Sequence, residues 1–249
     1  MPEAGPAQVA VIAGGTRGIG AATARRLAAA GHDLVLGYLQ DQRAAEALAE
    51  ELRRGGRQVC LVRGNVADPE VRARLRAAAA GLGDRCHRLI HCAAVTAFKP
   101  LVRVKPNQWN LTLEVSARSL LDLVAELLEP LALCRGAVAA VSSLGSSRFV
   151  PAYGALGPAK AALEAVVRGL AVELGPQGIR VNAIRAGLVE GDVLSHFPAG
   201  VRDAALARTP LGRLGAPDEI AAALDFVTGP GASWIDGQVI DVDGGYALT

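Results

Sequence analysis

Aromatic side chains are scarce in this chain of 249 residues: four Phe, three Tyr and two Trp, 4% in all. So thin a supply excludes the aromatic platforms on which single-stranded nucleic acids stack. An excess of charge of one sign is also missing, since 26 Lys and Arg stand against 24 Asp and Glu. The electrostatic footprint of a nucleic-acid binder is therefore absent too. No apolar run reaches the roughly 18 residues of a membrane-spanning helix. The N-terminus lacks the basic stretch and apolar segment of a secretory signal, and the four cysteines (Cys60, Cys86, Cys92 and Cys134) lack paired spacing. These absences give the expectation of a cytoplasmic protein with reduced thiols. Cys86, His87, His91 and Cys92 bracket one strand, but alternation sends the histidines and the cysteines to opposite faces, so no metal site is expected.

What is present is enough apolar sequence, 51%, to build a large core. Short apolar runs alternate with longer amphipathic stretches. Gln8–Ala13, Asp33–Tyr38, Gln58–Arg63, Arg88–Ala93, Ala137–Ser142, Arg180–Ile184 and Gln238–Val242 read as strands. Between them Ile19–Ala30, Ala44–Arg54, a segment opening at Asp68-Pro69, Trp109–Leu128, Pro158–Leu174 and Pro217–Val227 read as helices. Continuous Val/Ile/Leu runs mark strands covered on both faces. The fold expected is α/β, a Rossmann-like doubly wound parallel sheet of seven strands with helices on both faces. No linker or repeat interrupts it, so residues 1–249 are expected to form a single domain, with Met1 to Ala7 as a loose arm.

Gly14-Gly15-Thr16-Arg17-Gly18-Ile19-Gly20 falls between the first strand and the first helix. A turn without Cβ atoms lets backbone amides and a helix N-terminus approach a pyrophosphate, which makes this a dinucleotide cradle. The second strand ends in Tyr38, with no carboxylate beside it to take the ribose hydroxyls of NAD. Arg17 in the loop offers a cation to a 2′-phosphate instead. NADPH is the expected cofactor, ahead of NADH.

The spacing Gly14-x-x-x-Gly18-x-Gly20 resembles the glycine motif of the short-chain dehydrogenase/reductases, and the resemblance runs almost end to end. It places Asn65 and Val66 against adenine, and His91-Cys92-Ala93-Ala94 where the family usually carries Asn-Asn-Ala-Gly. Ser143 keeps the place of the family's serine, while Arg180–Ile184 and Asp241–Gly245 look like its late motifs. The resemblance also implies cofactor contacts from Ala93, Lys160, Gly187 and Val189. In most members a tyrosine lies four residues before the lysine, but here Leu156 fills that slot and Tyr153 gives a Tyr-x6-Lys pair with Lys160. That spacing, with Ser142–Ser146 and His196-Phe197-Pro198, is most similar to enoyl-acyl-carrier-protein reductase III.

The activity so implied is NADPH-dependent reduction of a 2-enoyl thioester on acyl carrier protein or coenzyme A, with Tyr153, Lys160 and Ser143 as catalytic residues. Gly154, Gly157 and Pro158 put Tyr153 on a loop entering the helix, where its hydroxyl is placed to meet an enolate. Lys160 is expected to hold the nicotinamide ribose and to lower the phenol's pKa. Several places depart from the family: Ser116 stands for an asparagine, Gly191 for a threonine, and Ala94 and Ala186 for a glycine and a proline. Carbonyl or ketoacyl reduction, and nucleotide binding without turnover, are the rival readings. Residues 190–213 are expected to form a substrate lid. Family resemblance further implies a closed homo-oligomer, a tetramer or dimer.

Overall fold

The computed structural model describes residues 8–249; the expected loose arm lies outside them. The elements in chain order are β1 (Gln8–Ala13), α1 (Gly18–Ala29), β2 (His32–Tyr38), α2 (Gln42–Arg54), β3 (Val59–Arg63), α3 (Pro69–Gly81) and β4 (Arg88–His91). They continue as α4 (Pro106–Leu113), α5 (Ser119–Glu126), α6 (Leu128–Cys134), β5 (Ala137–Ser143) and α7 (Leu156–Leu174). The chain closes with β6 (Arg180–Ala186), α8 (Val201–Arg208), α9 (Pro217–Thr228) and β7 (Val239–Val242). The seven strands form one sheet in the order β3-β2-β1-β4-β5-β6-β7, and every pairing is parallel. This is the Rossmann-like doubly wound sheet expected from the apolar runs.

Strand alternation splits the core in two. Val9, Val11 and Ala13 of β1 join Leu75, Leu120 and Leu163 on one side of the sheet. Ala10 and Ile12 join Leu27, Leu48 and Leu224 on the other. The strand order reverses direction between β1 and β4, and a crevice at the carboxyl ends beside such a reversal is where open α/β sheets bind ligands.

The structure corrects the helix expected over Trp109–Leu128. It begins earlier, at Pro106, where a missing amide costs nothing. It is then interrupted by a π-helical turn, Glu114–Arg118, and ends at Glu126. Ser119 lies just past the π turn and donates its hydroxyl to the Val115 carbonyl at 2.8 Å. The second break has a cause legible in the chain: Pro130 has no amide to give to the Glu126 carbonyl, so α6 starts afresh. Strand β4 stops at His91, two residues short of Ala93, which leaves Cys92 and Ala93 at the mouth of the crevice. Helix α7 starts at Leu156, two residues before the proline taken as its first turn.

Candidate active site

Of the helices that follow β1, β2 and β3 at the carboxyl edge of the sheet, α2 and α3 are capped. Asp41 accepts from the Ala44 amide at 3.0 Å ahead of α2, and Asp68 accepts from Glu70 at 2.9 Å ahead of α3. Helix α1 has no side-chain cap and no acidic residue in its first turn. Its first closed bond runs from the Ala21 amide to the Arg17 carbonyl at 3.2 Å, so the amides of Gly18, Ile19 and Gly20 stand outside the ladder. The turn is tight enough to demand glycine: a Cβ on Gly20 would lie 2.0 Å from the Gly14 carbonyl oxygen. A Cβ on Gly14 would lie 2.9 Å from the Ala93 amide nitrogen, which shows how closely Ala93 flanks the loop. Thr16 is buried in the loop and Arg17 is exposed at its rim. An uncapped, positively polarised helix end behind a close-fitting glycine turn fits the pyrophosphate of a dinucleotide.

The neighbouring strand ends complete this half of the crevice. Tyr38 is buried, and the one acid close after it, Asp41, is spent on capping α2. Tyr38 is paired in register with Arg63 of β3, an exposed cation that sequence reading passed over. Asn65 turns its amide oxygen onto the Ala67 amide at 3.1 Å, and Val66 beside it is buried. On the far side, Gly187 packs against Asp243 so tightly that a Cβ would meet its Cα at 2.7 Å. Val189 forms an isolated bridge with Gly215.

The second half of the crevice gathers the three residues singled out for chemistry. Ser143 ends β5, Lys160 lies in the second turn of α7, and Tyr153 sits in the connection between them. Tyr153 donates its hydroxyl to Ser143 Oγ at 2.8 Å. The residues on either side of the tyrosine adopt left-handed backbone, Ala152 at φ 56° and Gly154 at φ 54°. Such a conformation is strained for alanine, and it turns the chain so that the ring faces Ser143. Lys160 is buried and donates from Nζ to the Val141 carbonyl at 2.6 Å. Burial lowers its ammonium to about 8, against the opposing influence of Cys92 and Glu164. Burial also raises the Tyr153 phenol, while the Ser143 contact pulls it down. The expectation that Lys160 lowers that phenol is therefore corrected: the ammonium is engaged with Val141, and desolvation governs the tyrosine.

Behind the site, Ser116 occupies the π turn and is fully buried. Its hydroxyl accepts from the Val95 amide at 3.2 Å and so ties the π turn to the segment after β4. His91 is buried too, with Nε2 at 2.7 Å from Ser119 Oγ. Because Ser119 donates to Val115, the histidine must donate here, which assigns the proton to Nε2. Burial drives His91 down to about 3.

An aromatic group closes over Tyr153. Phe98 stacks on His196 with centroids 5.4 Å apart and meets Phe197 edge-on at 5.1 Å. Phe197 in turn lies nearly parallel to Tyr153 at 6.0 Å. His196 and Phe197 come from the 190–213 segment, and Phe98 from the loop after β4. Phe98 was missed in the sequence because no periodicity marks a loop side chain. Among the described residues no cluster of three or more His, Cys, Asp or Glu is placed to hold a metal ion.

A parallel sheet with an anion-binding glycine turn at its reversal, and a Tyr–Ser pair beside a buried lysine, define an oxidoreductase of the dinucleotide-binding class. A family model described as "Enoyl-(Acyl carrier protein) reductase" matches residues 13–247. The chain belongs to the short-chain dehydrogenase/reductase family. It is 36% identical over 252 residues to a protein of Streptomyces collinus named 1-cyclohexenylcarbonyl-CoA reductase, covering 97% of this chain and 87% of that one. It is 31% identical over 245 residues to a 3-oxoacyl-[acyl-carrier-protein] reductase of Synechocystis sp., covering 97% and 98%. A solved short-chain dehydrogenase/reductase from Serratia marcescens superposes with a TM-score of 0.89 at 28% identity, covering 97% and 99%. Members of this family use NAD(P)H. No helix among the described residues is long and apolar enough to cross a membrane.

Proposed function

We propose that the protein reduces the carbon–carbon double bond of a 2-enoyl thioester, carried on acyl carrier protein or coenzyme A, with NADPH as reductant. The observation that carries this reading is the hydroxyl contact between Tyr153 and Ser143 from a tyrosine seven residues ahead of Lys160, with Leu156 in the intervening slot. NADPH, when bound, supplies the hydride that adds to the β-carbon. The cradle for it is the Gly14–Gly20 turn with Thr16 and Ile19, flanked by Arg17, Tyr38, Asn65, Val66 and Ala93, and closed by Lys160, Gly187 and Val189.

The chain's own part is to manage charge and a proton. Hydride addition to the β-carbon sends the π electrons of the alkene to the thioester oxygen as an enolate. Tyr153, kept protonated by its raised pKa, donates a hydrogen bond to that oxygen. Because the phenol has a single proton, Tyr153 releases Ser143 Oγ to make that bond, and the Ser143 hydroxyl then donates back to the phenol oxygen and holds the ring in place. Transfer of a proton from solvent water to the α-carbon of the enolate completes the saturated thioester. The aromatic group supplies an apolar wall for the acyl chain, with 190–213 as the lid that brings His196 and Phe197.

The family model's description and the Streptomyces relative's name both support enoyl reduction. The Synechocystis relative supports the second reading, reduction of a 3-oxoacyl group, which the same Tyr–Ser pair serves by protonating a ketone oxygen. NADPH consumption with crotonyl-CoA against acetoacetyl-CoA separates them. Turnover of acetoacetyl-CoA alone rejects the enoyl reading, and turnover of neither supports nucleotide binding without reduction.

A further inference from the structure

We infer that Glu164 and Arg185 form a positioning pair that fixes Ser143, and through it Tyr153, by gripping Ser142 and Ser146 to either side. This rests on the reading of Ser143, Tyr153 and Lys160 as the reactive set. Ser142, Arg185 and Asp241 lie in one cross-strand row, Ser142 opposite Arg185 between β5 and β6, and Arg185 opposite Asp241 between β6 and β7. Glu164 of α7 comes down on that row. Ser142 donates to Glu164 Oε1 at 2.6 Å, and Arg185 forks onto the same carboxylate at 3.0 and 2.7 Å. Arg185 Nε also donates to Ser146 at 3.1 Å, and its other terminal nitrogen to Asp241 at 3.0 Å.

The pair is almost enclosed, with Glu164 7% and Arg185 18% exposed. An enclosed ion pair is on its own no better for stability than apolar residues of the same volume. What distinguishes this one is where its remaining hydrogen bonds go. They end on the residue before Ser143 and on the turn just after it. A forked guanidinium holds its partners in a fixed plane, which fixes the end of β5 more tightly than a single bond would.

Glu164 also lies one helical turn beyond Lys160. The groups facing that lysine are His91 at the end of β4, Cys92 just after it and Glu164 from its own helix. Glu164 is faced by Arg185 from β6, with Ser142 and Ser146 donating to it, and Asp241 stands behind the arginine. The carboxylate raises the lysine against the effect of burial. Removing the carboxylate therefore moves deprotonation of Lys160 to lower pH. An ion pair that served folding alone would leave kcat of the folded protein where it is, whatever becomes of that titration.

The test compares Glu164→Gln, Arg185→Lys and the double variant Glu164→Gln/Arg185→Met with the parent. It uses crotonyl-CoA and acetoacetyl-CoA turnover and the pH dependence of NADPH affinity, read by fluorescence. In Glu164→Gln and the double variant, kcat falls roughly 10- to 100-fold while NADPH affinity at neutral pH is kept. In both, the alkaline loss of NADPH affinity moves to lower pH. Arg185→Lys loses rate, but its alkaline limb does not move down, because Glu164 keeps its charge. The double variant removes both charges of the pair, so no guanidinium is left facing a neutral amide, and it keeps the test valid where Glu164→Gln alone does not fold. A folded double variant with the parent's rate and the parent's alkaline limb overturns the proposal. Where the parent turns over neither thioester, an unmoved limb does so alone. Tyr153→Phe serves as the control: full activity there overturns the site reading itself, whereas an inactive Tyr153→Phe beside an unaffected Glu164→Gln overturns only the clamp.

Discussion

Gly145 and the ring of Tyr153 are in such close contact that a Cβ on the glycine would stand 2.5 Å from two ring carbons. The turn after β5 therefore supports the tyrosine from below while Ser143 holds its hydroxyl. Gly145→Ala should push the ring off Ser143 without removing any reactive group. Turnover is expected to drop by roughly 100-fold, with NADPH affinity retained. Stopped-flow rates beside fluorescence titration check it, and a rate equal to the parent's shows that the ring has other room.

Tyr153→Phe removes the hydroxyl and keeps the ring against Phe197. Loss of one donor at a developing oxyanion costs about 10²–10³ in rate. Steady-state NADPH oxidation with crotonyl-CoA is the measurement. Activity close to the parent's assigns Tyr153 to the pocket wall alone.

The proposed preference for NADPH is assigned to Arg17, exposed in the loop whose glycine amides bond Gly37 of β2, and to Arg63, exposed and paired in register with Tyr38. NADPH is expected to bind more tightly than NADH. Each of Arg17→Ala and Arg63→Ala should narrow the preference about fivefold, the ~1 kcal/mol appropriate to a solvent-screened contact. Equal affinities in the parent would remove the basis for preferring NADPH.

Acid sensitivity follows from two buried histidines. Burial lowers His32 to about 4 and His91 to about 3, from 6.5. The unfolded chain takes up those protons first, so stability is lost as pH falls from 6.5 toward 4 and 3. Lys160 acts at the other end: with its folded value near 8 against 10.5, stability rises as pH climbs between them. Urea midpoints across pH test both, and His91→Asn should flatten the acid slope.

Leu156 fills the slot where most family members carry tyrosine, and it is buried at 6% exposure. Leu156→Tyr adds a hydroxyl and ring volume to a packed place, so a loss of about 1–3 kcal/mol is expected. It should not rescue Tyr153→Phe with an enoyl thioester. Thermal melts and the double variant's activity decide this.

The sheet was legible because its central strands are covered on both faces and so read as unbroken apolar runs, as in Val9–Ala13 and Leu34–Leu36. The glycine turn was legible because its spacing is a steric requirement. Other features depend on contacts between segments far apart in sequence. Ser116 in a π turn looks like any helical serine until Val95 is brought beside it. Arg63 gains meaning only from the β2–β3 register, and Phe98 only from the approach of Phe197. The break before α6 is different in kind: Pro130 was there to be read, and the length of the apolar run concealed it.

The rings over Tyr153 are in mutual contact. Phe98, Tyr153 and Phe197 are each half-buried by their neighbours. Contact with one another restricts their rotamers, and an incoming acyl chain meets side chains that have less freedom left to lose. Ordering a mobile side chain at binding costs about 0.5–1.5 kcal/mol, a cost this arrangement has already absorbed in part. Phe98→Ala should accordingly weaken binding by more than the area of one ring, because it also restores motion to His196 and Phe197. The excess will be entropic, visible in calorimetry as a binding enthalpy that changes less than the affinity does. In a chain with so few aromatic residues, rigidity is what their concentration at one place supplies.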